Sequence, residues 1–272
     1  MTSTQSNAAA IRAFRIVELL AQEQKPLTLI EISTRMELPK QSVHRLLKQL
    51  ESAWLVNREG AGKHYVCSSR VRQMAINMLM TTGPAAARRA ILQEMADKVQ
   101  ASCNLAISSG DAVVYLDRVE ANWNASTKLT PGTRVPFHCT ASGKLLMSFL
   151  PKPQREGLLK RLPLRKWTEF TISEVDALRL DLAETRKRRF SVNMGEYIPG
   201  IVAVAVPVML NAHKAGAAVA IQASAEQFST KELMKWLPQL HQVAERLAQT
   251  FDVPDTRIGQ TIASNQSLLC AT

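Results

Sequence analysis

Apolar positions recur at helical spacing in two short segments separated by a tight break. In residues 28–36, TLIEISTRM, the side chains of Leu29, Ile32 and Met36 share one face. Thr28, with Glu31 three residues on, makes a capping box, and Leu27 just before it can staple onto Ile32. Pro39 biases Leu38 away from the helical region and suits the first turn of a new helix. In that helix Val43, Leu46, Leu47 and Leu50 form the i, i+3, i+4, i+7 stripe, and Gln41, His44, Arg45 and Lys48 fall opposite. Beyond it, Leu55-Val56 and Tyr65-Val66 read as two short strands around a polar stretch punctuated by Gly60 and Gly62. That is a wing, with Arg58, Lys63 and His64 at a mobile tip. Upstream, Ala10, Phe14, Val17 and Ala21 supply a third helical face. The pattern predicts a winged helix-turn-helix over residues 8–67.

The pattern then changes. Residues 68–84 read as a linker helix, with Val71, Met74, Met78 and Leu79 on one face and Gly83-Pro84 closing it. Ala85–Val99 reads as a further helix with Ile91, Leu92, Met95 and Val99 inward. A helix between two domains suits the pairing of two protomers, which a recognition helix needs to read two half-sites, though its methionines would equally serve as core filler. From Cys103 strands take over: Leu105–Ser108 and Val113–Val119 flank a hairpin at Ser109-Gly110-Asp111, and Ile201–Leu210 and Ala217–Ala223 form a second pair. Ala141–Phe149 is a short helix stopped by Pro151 and Pro153. Ser173 caps a helix running to about Arg189. Ser229 and Glu232 start a terminal helix with Leu233, Leu237, Leu240, Ala244, Leu247 and Phe251 inward, kinked at Pro238. The expected architecture is two-domain α+β, with a sheet covered by helices over residues 85–252. Residues 1–7 and 253–272 are expected to be disordered polar tails.

Charge sharpens the reading. The formal net charge is +11, which favours a polyanionic partner. No acid interrupts Lys40–Leu50. Cations at the ends of such a helix hold phosphates, while amides, hydroxyls and arginine reach base edges in the major groove. Double-stranded DNA is therefore the expected partner; a solvated helix of an ordinary bundle is the blander alternative. The longest apolar run, 201–210, contains Pro207 and is too short to span a bilayer, so no membrane partner is expected. The four cysteines, Cys67, Cys103, Cys139 and Cys270, show no metal spacing and read as free thiols of a cytoplasmic protein, with no metal and no cofactor. His138-Cys139-Thr140 is a weak nucleophile candidate, because neighbouring side chains diverge and no orienting acid is evident. No catalytic residue is assigned. Asp111, Asp117 and Glu120 are expected to face solvent, and the run Arg186–Arg189 to complement a helix C-terminus.

These motifs, in this order, resemble the isocitrate lyase regulator (IclR) family of bacterial transcription factors. The likeness covers about residues 8–251. It rests on AIRAFRIVELLA, PLTLIEIS and LPKQSVHRLLKQLESAWLV, then on VVYLDRVE, PGTRVPFHCTASGKLLMSFLP, TISEVDALRLDLAETRKRRFSV and GEYIPGIVAVAVPV. The resemblance implies a winged helix-turn-helix, a linker helix and a GAF-like α/β effector domain. It implies homodimers, or dimers of dimers, that bind operator DNA and a small metabolite and control catabolic operons. By resemblance, Lys40, Ser42, His44 and Arg45 occupy recognition positions. Gln41, Lys48, Arg58 and Lys63 join them from the residue pattern.

The effector pocket implied by the resemblance comprises His138, Thr140, Ala141, Gly143, Asn193, Ile201, Ala203, Ala220 and Gln222. The chain departs from the family there. Asn193-Met194-Gly195 replaces an acidic stretch, Ala203 a frequent cysteine, and Ala220 and Gln222 small hydroxyl residues. A largely apolar lining with a few amide and hydroxyl donors suits a small organic or aromatic carboxylate. Asn193 and Gln222 would alternatively satisfy local backbone. A second domain serving only dimerisation stays open as the alternative.

Overall fold

A computed structural model describes residues 3–251, apart from 24, 61, 82–83, 122–128 and 213. The chain divides into two compact units, Met1–Thr81 and Thr82–Thr272. Cys270 and the expected C-terminal tail lie outside the described residues.

The first unit runs α1 (Ser3–Gln22), β1 (Leu27–Thr28), α2 (Leu29–Met36), α3 (Lys40–Ser52), β2 (Val56–Glu59), β3 (His64–Cys67) and α4 (Ser69–Thr81). β3 lies between β1 and β2 in a three-stranded antiparallel sheet. Its core joins Leu27, Ile32 and Met36 to Val43, Leu46, Leu47 and Leu50 of α3. Each such buried aliphatic contributes about 1.5–3 kcal/mol, so the apolar stripe of α3 fixes which face is left for solvent.

Four expectations are corrected here. Of the expected inward face of α1, Val17 is buried, beside Ile16 and Leu20, whereas Ala10, Phe14 and Ala21 are exposed, Phe14 by 59%. Apolar residues surround that helix, so periodicity alone leaves its rotation undetermined, and contact with the helix-turn-helix core chooses it. Residues 3–7, expected as tail, extend α1. The wing strands reach Glu59 and His64, so Arg58 sits within β2 opposite Tyr65 rather than at the tip. On α4, Val71 and Ile76 are buried while Met74 and Met78 are exposed.

The second unit runs α5 (Pro84–Val99), β4 (Ser102–Ser109), β5 (Ala112–Val119), β6 (Arg134–Val135), α6 (Ala141–Phe149), α7 (Lys152–Arg161), α8 (Val175–Arg188), β7 (Ser191–Met194), β8 (Ile201–Met209), β9 (Ala215–Ser224), α9 (Thr230–Met234) and α10 (Leu237–Gln249). The sheet is antiparallel with order β6-β5-β4-β9-β8-β7. One face is alanine-rich, and Ala203, Ala205, Ala218 and Ala220 pack with α6, α7 and α8. α5 and α10 pack on each other and on the central strands.

Local chemistry explains the departures from expectation in this unit. Pro151 is the N-cap of α7 and Pro153 lies in its first turn, so these prolines start a helix as well as stopping α6. The cap of α8 is Glu174, with no side-chain bond, rather than Ser173. Pro238 starts α10 instead of kinking one long helix, because its missing N–H costs nothing in a first turn. Asp117 is buried, held by Arg89 at 2.9 Å, rather than facing solvent. The short edge strands β6 and β7 carry too little pattern to be read in advance.

Candidate functional site

The first unit presents a basic, polar face along α3. Thr28 Oγ1 accepts from the Glu31 N–H at 3.2 Å, and the Glu31 carboxylate takes the Thr28 N–H at 2.7 Å. That second bond is the main reason the Glu31 carboxyl is held down to about 2. Glu37 closes α2 in the left-handed region, and Pro39 caps α3. With the α3 stripe buried, Lys40, Gln41, Arg45 and Lys48 are exposed and Ser42 and His44 half-exposed. Among the described residues, no acid lies within ion-pair distance of Lys40, Arg45, Lys48 or Lys63. Arg58 differs: it pairs with Glu51 at 3.1 Å and stacks 5.3 Å from the Tyr65 ring centroid. Lys63 occupies the wing turn, where Gly60 and Gly62 take positive φ.

The second unit contains a hollow over the alanine face. Strand register explains it. Asn193, Ala203 and Gln222 form one row across β7, β8 and β9. The next row runs Ser191, Ala205, Ala220, Asn104 and Arg118. Alanines at the centre leave space that larger side chains would fill, and amides stand around it. The lining adds Tyr115, Leu129, Tyr197, Ile198 and Ile201 to Thr140, Ala141 and Ser142 at the start of α6. The cleft measures about 360 Å³ with its mouth. As the side chains stand, the open space within it is about that of one water molecule.

Seven of the nine expected pocket residues line this hollow: Thr140, Ala141, Asn193, Ile201, Ala203, Ala220 and Gln222. His138 and Gly143 do not. His138 Nε2 lies 3.0 Å from the Arg165 carbonyl, and burial lowers the pKa of its ring. Gly143 packs so closely on Phe137 that an added Cβ would lie 2.4 Å from the Phe137 carbonyl oxygen. Thr140 lines the hollow, but its hydroxyl donates to the Pro136 carbonyl at 2.7 Å and accepts from the Gly143 N–H at 3.1 Å. It is a helix cap, not a free donor.

The available donors are the first-turn N–H groups of α6 and the two amides. Asn193 Oδ1 accepts from the Glu196 N–H at 2.9 Å, and Gln222 Oε1 accepts from Arg118 at 2.9 Å. Asn104 Oδ1 is buried without a partner. Asn104 and Tyr115 escaped the sequence reading, although an amide inside the buried strand CNLAIS was a usable signal.

Behind the start of α6, Lys144 pairs with Glu196 at 2.6 Å and with Asp181 at 3.5 Å. Burial nevertheless raises the Glu196 carboxyl. β7 alternates between the two regions. Asn193 lines the hollow, while Val192 and Met194 line a second cavity, about 900 Å³ with its mouth, together with Lys144 and Glu196. The Cys139 thiol is pushed up to about 12 by burial, and His138 points its bond elsewhere. Arg186 and Arg189 stack on Phe149 near the α8 C-terminus. Among the described residues no three His, Cys, Asp or Glu side chains converge as metal ligands, and no helix is long and apolar enough to cross a membrane.

Residues 9–60 match the model of the IclR helix-turn-helix domain, and residues 77–249 match that of the bacterial transcriptional regulator IclR C-terminal domain. The chain is 54% identical over 249 residues to the "Probable transcriptional regulator SauR" of Cupriavidus necator, covering 92% of this chain and 99% of that one. The crystal structure of Thermotoga maritima IclR superposes with a TM-score of 0.59 at 23% identity, covering 88% and 97% of the two chains. An IclR homologue from Microbacterium hydrocarbonoxydans complexed with 4-hydroxybenzoate superposes at 0.54 with 19% identity, covering 89% and 98%.

Proposed function

The chain belongs to the IclR family of bacterial transcriptional regulators, and we propose that its affinity for operator DNA is set by a small organic or aromatic carboxylate bound in the hollow over Ala203 and Ala220. The observation that carries this reading is the chemistry of that hollow. Alanines leave the space, and α6 N–H groups with the Asn193 and Gln222 amides supply donors around it. The 4-hydroxybenzoate complex of a structural neighbour lends support for an acid of this kind.

On this reading the protein works in the cytoplasm as a homodimer or a dimer of dimers and controls a catabolic operon by binding, without turnover. Two recognition helices enter successive major grooves. Arg45, Gln41, Ser42 and His44 face base edges, while Lys40, Lys48 and Lys63 hold phosphates, with Arg58 tied to Glu51 and secondary. Side chains crowd the hollow, so a bound ligand displaces some of them and favours the arrangement in which they have moved aside.

The test is a thermal-shift screen of the full chain against small carboxylates and aromatic acids, followed by operator binding with each hit. An acid that raises the unfolding temperature and shifts operator affinity supports the proposal. The small open volume favours a second reading, in which the unit serves only for dimerisation. A broad panel without a hit, with DNA binding intact, would favour that reading instead.

A further inference from the structure

Asn193 and Gln222 stand one strand either side of Ala203, so their Cα atoms are about 10 Å apart. Each has its oxygen engaged by a group that can only donate: the Glu196 backbone N–H for Asn193, the Arg118 guanidinium for Gln222. Turning either amide over would set N–H against N–H. Each therefore turns its NH₂ group towards another partner, while its oxygen stays on the donor that already engages it. Arg118 is itself buried, its side chain 2% exposed, and its acid partner is the half-exposed Glu120 at 3.3 Å. Positive charge thus stands behind Gln222. On the other side, β7 packs against α6, and Ser191 Oγ donates to the Ala141 carbonyl. Asn193 thereby lines the same hollow as Ala141 and Ser142, first-turn residues of α6 whose N–H groups have no partner within the helix.

Resting on the effector reading above, we infer that the ligand is an acid carrying a second, separated hydrogen-bond acceptor, such as a short dicarboxylate. One carboxylate meets the α6 N-terminus and Asn193, and the second acceptor meets Gln222. Arg118 is a positioning residue: it touches no ligand, and it decides that Gln222 presents N–H rather than oxygen.

Titration calorimetry on the full chain tests this with succinate and glutarate against butyrate and valerate. The expected result is at least about tenfold tighter binding of the dicarboxylate than of the monocarboxylate of equal length. Gln222→Glu keeps a partner for Arg118, preserving the fold, but removes the N–H donor; the preference should invert. Arg118→Met should bring the ratio towards one, and Arg118→Lys, still only a donor, should retain most of it. A general loss of packing would weaken both acids together and leave the ratio unmoved. A parent ratio within twofold, or an unchanged ratio in Gln222→Glu, overturns this inference and leaves the effector site standing. Binding of neither acid class, with the screen above also empty, overturns the effector reading and this inference with it.

Discussion

Replacing Gly143 by alanine sets two effects of opposite sign against each other. Alanine is the better helix former, by about 0.5–1 kcal/mol. Against that, the new Cβ would lie 2.4 Å from the Phe137 carbonyl oxygen, 2.6 Å from Phe137 Cα and 2.5 Å from Thr140 Oγ1. Two of these are backbone atoms, so no flexible side chain can yield. Restoring ordinary contact requires a displacement of about 1 Å between α6 and the 137–140 loop, a strain of the overpacking kind that costs about 1–3 kcal/mol. The same shift stretches the Thr140 cap, worth about 1 kcal/mol. The net expectation is a loss of about 1–3.5 kcal/mol from the second unit. It should be accompanied by weaker binding of any acid found in the screen, because the α6 N-terminus moves. Urea unfolding, with hydrogen exchange of the 137–149 segment, reads the first effect; calorimetry reads the second. Gly216→Ala is the control: there the added Cβ meets only the flexible, partly exposed Leu210 side chain, and little change is expected. A Gly143→Ala protein as stable as its parent would mean that helix propensity wins and the close approach does not constrain the site.

Trp54 is 72% exposed and sits at φ +58, a conformation costing an L-residue roughly 1–2 kcal/mol. Trp54→Gly should therefore stabilise the first unit by about 0.5–1 kcal/mol once glycine's greater unfolded entropy is deducted; a loss in thermal unfolding would show that the indole packs on something. Glu31 is an acid whose pKa is depressed, so its contribution is full above about 4.5 and fades as pH falls towards 2. Glu31→Gln should be less stable than the parent at pH 6, with the gap closing across that window; a gap that does not change with pH would refute the capping account. Arg45→Ala should cost roughly 1–3 kcal/mol on operator and less on random DNA, and equal losses would make Arg45 a phosphate contact. Lys63→Ala should flatten the salt slope by about one unit, whereas Arg58→Ala, already paired with Glu51, should change it less. Binding isotherms from low to moderate salt separate these outcomes.

Local signals carried far along this chain. The capping boxes at Thr28 and Ser229, the α3 stripe and the span of α6 were all legible, because each depends on residues within one or two turns of each other. What failed was what depends on distant partners. The rotation of α1 was misjudged because apolar residues surround it and only contact with α2, α3 and β3 selects a face. Gly143 and His138 carried the resemblance to the family pocket, yet one proved to be a close backbone approach and the other a bond to Arg165. Asn104 and Tyr115 reach the hollow only because antiparallel register lays β4 beside β9 and β5 beside β4. Local periodicity and capping chemistry are written in neighbouring residues, so the amino-acid order alone settles where the capped helices α2 and α9 begin and which face of α3 is polar. The donor or acceptor character of the hollow depends on Arg118 meeting Gln222 across 104 positions of chain. That pairing exists only once the sheet has formed, so tertiary structure decides what the site can recognise.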